Sequence, residues 1–435
     1  MELRVLHINI VGSSDLSLLG NMKKLEILDL SSSKIRTLPQ EIGGLTNLKS
    51  LRLSRVFFMI IPPKVLSRFS LLEELDLFYS FDKWVPEGSE DISKACLSEV
   101  ASLASLKNLK LGISNIECLS SPISLCAENL TQFLVMIYAT PRPNSYEMFY
   151  GTLNAISEGY YAAKMSFSEI TLPNLSNWVK MLLERTEELD LFKCHGPKNI
   201  YPELSGGSGL NNLQSLKIQV CGDLEHILSA EAEGVPILAF SKLEELQLED
   251  IGNLRKICHG RFLKGSLENL RILSIDRCSN LKHIFQMSMA EGLPQLEEIQ
   301  ILSCDGLEKI FMKNEAEDEE GKVLLPRLRV LELVSLPNFS MVCQGLLSVH
   351  DLPLFERLCI YECPNLKRLP LSLSPKSTPR LREIKVGKTW FNQLEWDEIS
   401  NKLHIQEWVK VEFLNKSSIF NRTRPCRRTR RPRPR

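Results

Sequence analysis

The chain lacks most of the features that would fix a function at once. Its 435 residues contain no run of 18 or more apolar side chains, so no membrane-spanning helix is expected. Gly and Pro stand at 22 each, too few for a collagen-like or wholly disordered chain. The opening MELRVLHINIVGSSDLSLLG lacks the basic start, apolar core and small-residue cleavage site of a secretory signal, and reads as folded structure. No CxxC pair occurs, and the nearest cysteines, Cys359 and Cys363, have no second pair at zinc-finger spacing. The histidines are scattered without HExxH, and no nucleophile motif stands out. VGKT at Val386–Thr389 resembles the end of a phosphate-binding loop, but that pattern needs glycine at position 382, where Arg382 stands. These absences point away from an enzyme.

Net charge is also missing, at 53 basic against 53 acidic residues, but the balance is uneven. From Asn415 to Arg435 there are eight Arg and one Lys with no acid, which leaves about −9 over residues 1–414. A mildly acidic body is a poor nucleic-acid groove. The tail RTRPCRRTRRPRPR has no apolar periodicity and reads as disordered. Nucleic-acid binding or nuclear import would have to reside there.

What is present is repetition. LEILDL at Leu25 recurs as LKSLRL at Leu48, LEELDL at Leu72, LKNLKL at Leu106, LQSLKI at Leu213, LEELQL at Leu243 and LRILSI at Leu270. LEEIQI at Leu296, LRVLEL at Leu328, FERLCI at Phe355 and LREIKV at Leu381 follow, with weaker copies at Leu3, Leu130 and Thr186. The last two apolar positions of LxxLxL alternate at period two, so they point inward from a short strand. One unit cannot bury that face alone, whereas stacked units share a continuous core. The expected fold class is α/β: a leucine-rich-repeat solenoid (horseshoe) with a parallel β-sheet on its concave face and helical or irregular convex segments. Cys194, Cys221, Cys278, Cys304 and Cys363 each stand eight residues after a repeat start. That regularity makes them buried packing residues in a reducing compartment.

The expected organisation is a solenoid of about 14 repeats over 1–387, a C-terminal cap over 388–414 and a basic tail over 415–435. The pattern weakens between Cys126 and Leu183, where Thr140–Gly151 reads as a loop and Asn174–Glu187 has helical spacing. Glu315–Glu320 reads as a solvated acidic loop. Trp390, Phe391, Leu394 and Trp396 are placed to cover the last repeat.

Recognition then falls to the residues between the inward leucines. In the first half these are Asp29, Arg52, Asp76, Phe78 and Lys110, joined by Trp84 just after a strand. Further along come Lys217, Glu245, Gln247, Glu298 and Gln300, then Glu332, Arg357 and Tyr361. Their mixed charge suits a protein-binding surface, and aromatics beside it are hot-spot candidates.

LEILDLSSSKIRTLPQEIGGLTNLKSLRLS, LLERTEELDLFKCHG, LRILSIDRCSNLKHIF and WFNQLEWDE resemble the repeats of plant disease resistance proteins of the coiled-coil, nucleotide-binding class. The resemblance covers residues 1 to about 413. It implies a non-catalytic module of plant innate immunity that senses pathogen effectors, or host proteins they modify, and packs against the receptor's nucleotide-binding domain. No cofactor is then expected in this chain, since ATP or ADP would belong to that domain, which looks truncated away. The implied location is the cytoplasm, a peripheral membrane position or nuclear entry through the tail being alternatives. Two rival readings are an extracellular receptor or inhibitor, which would carry LxGxIP repeats, and a ubiquitin-ligase substrate subunit, which would carry an F-box.

Overall fold

A computed structural model describes residues 2–11, 16–91, 93–121, 127–139, 162–172, 175–205, 209–230, 238–260, 263–286, 293–312, 325–343, 352–370, 378–396 and 409–414. The Thr140–Gly151 loop, the acidic run Glu315–Glu320 and the 415–435 tail lie outside them. The chain divides into two compact units, one reaching Ile251 and including Cys258–Leu267, the other made of Gly252–Ile257 and the residues from Glu268 onward.

The first unit is a parallel β-solenoid. Its strands run Val5–His7, Ile27–Asp29, Ser50–Arg52, Glu74–Asp76, Asn108–Ile113, Gln132–Tyr138, Ala163–Ser168, Glu188–Phe192, Ser215–Gln219 and Glu245–Glu249, each pairing in parallel with the next. The second unit repeats the plan with Ile272–Asp276, Glu298–Leu302, Val330–Val334, Arg357–Tyr361, Glu383–Gly387 and Lys410–Leu414.

Each LxxLxL copy becomes a strand whose leucines face the core. Leu25, Leu28, Leu30, Leu48, Leu51 and Leu53 are fully buried, and so are Leu270, Leu273 and Ile275. A buried leucine is worth about 1.5–3 kcal/mol, which offsets the roughly 1–2 kcal/mol per residue lost in ordering the backbone only when neighbouring turns cover it. Two strands have no leucine signature. In Ala163–Ser168 the inward positions are Ala163, Met165 and Phe167, and Lys410–Leu414 continues the sheet beyond the last copy. The extra strand also moves the register. Lys110 pairs with Leu134, Leu134 with Lys164, and Lys164 with Glu188, so a second outward position becomes a first one.

The return limbs differ along the chain. In the early repeats 3-10 turns (Ser17–Asn21, Gln40–Gly44, Leu66–Arg68) bring the chain back. The helix Asn177–Arg185 buries Trp178, Val179, Leu182 and Leu183, as its spacing predicts. Later limbs are short strands that pair in parallel, Asn199–Tyr201 with His226–Ser229 and His283–Gln286 with Lys309–Met312. Helical or irregular return segments therefore describe only part of the chain. The adjacent apolar pairs Ile284–Phe285 and Ile310–Phe311 are buried together, and this extends the backbone there.

The cysteines tie turn to turn. Cys194, Cys221, Cys278, Cys304 and Cys363 are buried. The Cys194 thiol donates to the Phe167 carbonyl at 3.4 Å and the Cys363 thiol to the Leu333 carbonyl at 3.6 Å, each bonding the preceding turn. The residue before each is left-handed: Lys193, Val220, Arg277, Ser303 and Glu362 have φ near +50 to +57°. The chain must reverse there to bring the next side chain inward. Val220, at φ +57°, is β-branched and strained in that region. Val220→Asn should therefore raise stability by about 1 kcal/mol, read as a higher urea midpoint at unchanged slope. An unchanged midpoint would mean the turn carries no strain.

A short helix, Lys388–Asn392, follows the strand Glu383–Gly387. Trp390, Phe391 and Leu394 are buried, and the Trp390 indole N–H donates to the Leu366 carbonyl at 2.8 Å. Phe391 meets Trp396 edge-on at 5.2 Å.

Candidate functional site

The outward rows of the sheet gather most of the sequence-predicted residues, and in the first unit they neutralise one another. His7, Asp29, Arg52, Asp76 and Lys110 lie side by side on five successive strands, alternating cation-type and acid. His7 Nδ1 is 3.2 Å from Asp29 Oδ2, and Lys110 Nζ is 3.6 Å from Asp76 Oδ2. Arg52 reaches one row across and holds Glu74 with two parallel bonds of 3.0 and 2.9 Å. The two carboxylates respond differently. Burial raises the Asp76 carboxyl above its usual range, against the pull of the Phe78 N–H and Lys110. At Glu74 burial also pushes upward, but the bonds from Arg52 and Ser50 outweigh it and lower the carboxyl.

Next along the face is a triad around a buried lysine that the sequence did not reveal. Lys164 has a side chain only 7% exposed and bonds both Glu188 and Asp190, the latter at 3.0 Å. Burial alone would depress this ammonium, but Asp190 and Glu188 hold it above its usual range. Burial raises Glu188, with Lys164 opposing and Asp190 reinforcing. Glu188 and Asp190 occupy visible outward positions of a repeat, whereas Lys164 sits on the strand without leucines. Lys164→Met should cost about 3–5 kcal/mol, because it leaves two adjacent carboxylates without their cation. Chemical denaturation of the purified variant measures it, and a cost under about 1 kcal/mol would show that the cluster is well solvated.

Beyond the triad the face is more varied. Lys217 stands opposite Gln247, and Glu245 opposite Ser215. In the second unit Gln300 lies opposite Glu332, which lies opposite Cys359 and then Lys385. Glu298 and Arg357 share a row but are separated by Val330, which is buried. Tyr361 is half-buried beside Gly387, where an added Cβ would stand 3.4 Å from its ring.

Trp84 does not belong to this face. It is 1% exposed, its indole N–H donates to the Gly112 carbonyl at 2.8 Å, and Phe81 packs against it edge-on at 4.7 Å. The chain reverses at left-handed Tyr79, which carries the following aromatics into the core. Phe78 stays half-buried, with the Tyr79 ring 4.0 Å away. A small void lined by Leu97, Leu109, Val135, Trp178 and Leu182 belongs to the apolar core. Among the described residues no group of three His, Cys, Asp or Glu side chains is placed to hold a metal ion.

The family model "Plant disease resistance protein RPS2-like, leucine-rich repeats" matches residues 177–305 and 242–389. Disease resistance protein At4g27190 of Arabidopsis thaliana is 27% identical over 402 residues, 89% of this chain and 38% of that protein. The probable disease resistance protein At4g27220 of the same plant is 28% identical, over 87% of this chain and 43% of that protein. The chain thus spans about two fifths of the length of these curated relatives. Among solved structures, a leucine-rich-repeat protein of Leptospira interrogans superposes with a TM-score of 0.40 at 16% identity, covering 93% of this chain and 81% of that one.

Proposed function

We propose that the chain belongs to the RPS2-like plant disease resistance proteins, whose leucine-rich repeats match residues 177–389, and that it is a recognition module of plant innate immunity whose outward sheet face binds proteins. In this reading the ligand is a pathogen effector or an effector-modified host protein, met in the cytoplasm. A nucleotide-binding domain of the full-length receptor is a second partner. ATP or ADP would be held by that domain and not by these repeats.

The observation that supports this reading is the character of the exposed rows. Charges on the first five strands are already paired within the molecule, so a partner would have to break those pairs or bury them at a desolvation cost. On the second unit Gln300, Glu332, Arg357 and Tyr361 are varied and half-buried, and they include an aromatic and an arginine of the types that anchor interfaces. The contact is therefore assigned to the second unit, at Gln300, Glu332, Arg357 and Tyr361. The test is a panel of effectors screened by biolayer interferometry against the unaltered chain and against Gln300→Arg/Tyr361→Ala. A bound effector should lose roughly tenfold or more in affinity with the variant, while circular dichroism stays unchanged. Equal affinity for both would move recognition off the sheet. Calorimetry with ATP should show no saturable heat, and tight binding would overturn the assignment of nucleotide to another domain.

A further inference from the structure

We propose that the excursion Arg55–Lys64 of the first unit is a docking surface for an anionic lipid membrane, separate from the protein-binding face. The segment reads RVFFMIIPPK and leaves the strand Ser50–Arg52 without forming a helix. Three of its residues, Arg55, Phe58 and Lys64, are left-handed at φ +59 to +61°, an uncommon backbone for non-glycine residues. The outcome is outward display of apolar groups: Phe58 is 76% exposed, Phe57 48% and Ile60 46%. Val56, Met59 and Ile61 point into the core, so the segment is anchored by some residues while the others project.

The cations Arg55 and Lys64 bound the segment, although the following turn also exposes Glu87 and Glu90. Backbone bonds hold Ile60 beside the previous turn, with the Ile60 N–H on the Arg36 carbonyl at 2.8 Å and the Leu38 N–H on the Ile60 carbonyl at 2.9 Å. That turn presents exposed Lys34 and Arg36, and the following turn presents exposed Lys83. Among the described residues none of these five cations forms an ion pair, whereas Arg52, Lys107, Lys110 and Lys164 of the same unit all do. Burying apolar side chains at the headgroup boundary while unpaired Lys and Arg face anionic headgroups is the chemistry of interfacial association. A protein partner would instead need a pocket shaped to receive two adjacent protruding phenyl rings, and it would have to supply carboxylates on three successive turns. A bilayer takes up projecting rings with no matching shape, and this favours lipid over protein.

The test uses the full chain with phosphatidylcholine vesicles, with and without phosphatidylserine. The chain should sediment with the phosphatidylserine vesicles, weaken as salt rises, and largely ignore the neutral ones. Phe57→Ser/Phe58→Ser and, separately, Arg36→Glu/Arg55→Glu should each weaken binding by roughly tenfold or more. The charge variant alters only exposed side chains and guards against a folding artefact. Phe58→Trp should add a blue-shifted emission when anionic vesicles are mixed in. No sedimentation with phosphatidylserine vesicles, binding unchanged by both double variants, or an indole emission of the Phe58→Trp variant unmoved by lipid would each overturn the proposal. So would equal binding to polyglutamate that the Phe variant leaves intact, because the surface would then be an acidic-protein site.

Discussion

Leu273→Arg or Ile275→Arg should unfold the second unit. Both side chains are fully buried in the strand Ile272–Asp276, and they lie opposite Ile299 and Ile301 of the next turn. An arginine there would have to bury an unpaired guanidinium or open the stack, and either costs more than about 4 kcal/mol. The loss would not stay local, because each turn is stabilised mainly by its two neighbours. Domains of this kind carry only about 5–15 kcal/mol of stability, so one such change removes much of it. Circular dichroism should show loss of sheet signal, with a urea midpoint far below that of the unaltered chain. Glu298→Ala is the contrast: it lies on the outward side of the adjacent strand and should shift stability by less than about 1 kcal/mol. Equal effects from the two would mean that inward and outward positions have been assigned the wrong way round.

The sheet's inward positions were legible because period-two alternation is a local property of the chain. Leu273 and Glu298 could be assigned to opposite faces from LRILSI and LEEIQI alone. The strand Ala163–Ser168 was not legible, because Ala163, Met165 and Phe167 fill the core without spelling the leucine pattern. Missing it also hid Lys164, and with it the only buried cation described on the outward face. The row of His7, Asp29, Arg52, Asp76 and Lys110 depends on register between strands 22 to 34 residues apart, which no single repeat encodes. Trp84 failed for another reason: an aromatic just after a strand can face either way, and the left-handed residue at Tyr79 decides it. The position-eight cysteines were legible as core. The left-handed residue before each was not, since Lys, Val, Arg, Ser and Glu all occupy it.

Those cysteines set a second large effect, loss of stability in alkali. Burial pushes the thiols of Cys118 and Cys258 in the first unit, and of Cys304 and Cys363 in the second, up to about 12. At Cys304 and Cys363 hydrogen bonds with the backbone oppose this only partly. In the unfolded chain a thiol ionises near its ordinary value, about 8.5–9. A folded value raised above the unfolded one means that the stabilising contribution is whole below about pH 9. It falls as pH climbs toward 12, because over that window the unfolded chain releases protons that the folded chain keeps. Each thiol then removes about 1.4 kcal/mol per pH unit, so the two in the second unit remove about 3 kcal/mol per pH unit. Urea midpoints should therefore be nearly level from pH 7 to about 9 and then drop steeply. Cys304→Val keeps an apolar group of similar size in place and removes one titrating site. It should halve the slope attributable to the second unit and leave that of the first unchanged. A slope unaffected by this substitution would show that the alkaline loss comes from other groups, the buried Lys164 among them, and that the thiols reach solvent while the solenoid is still folded.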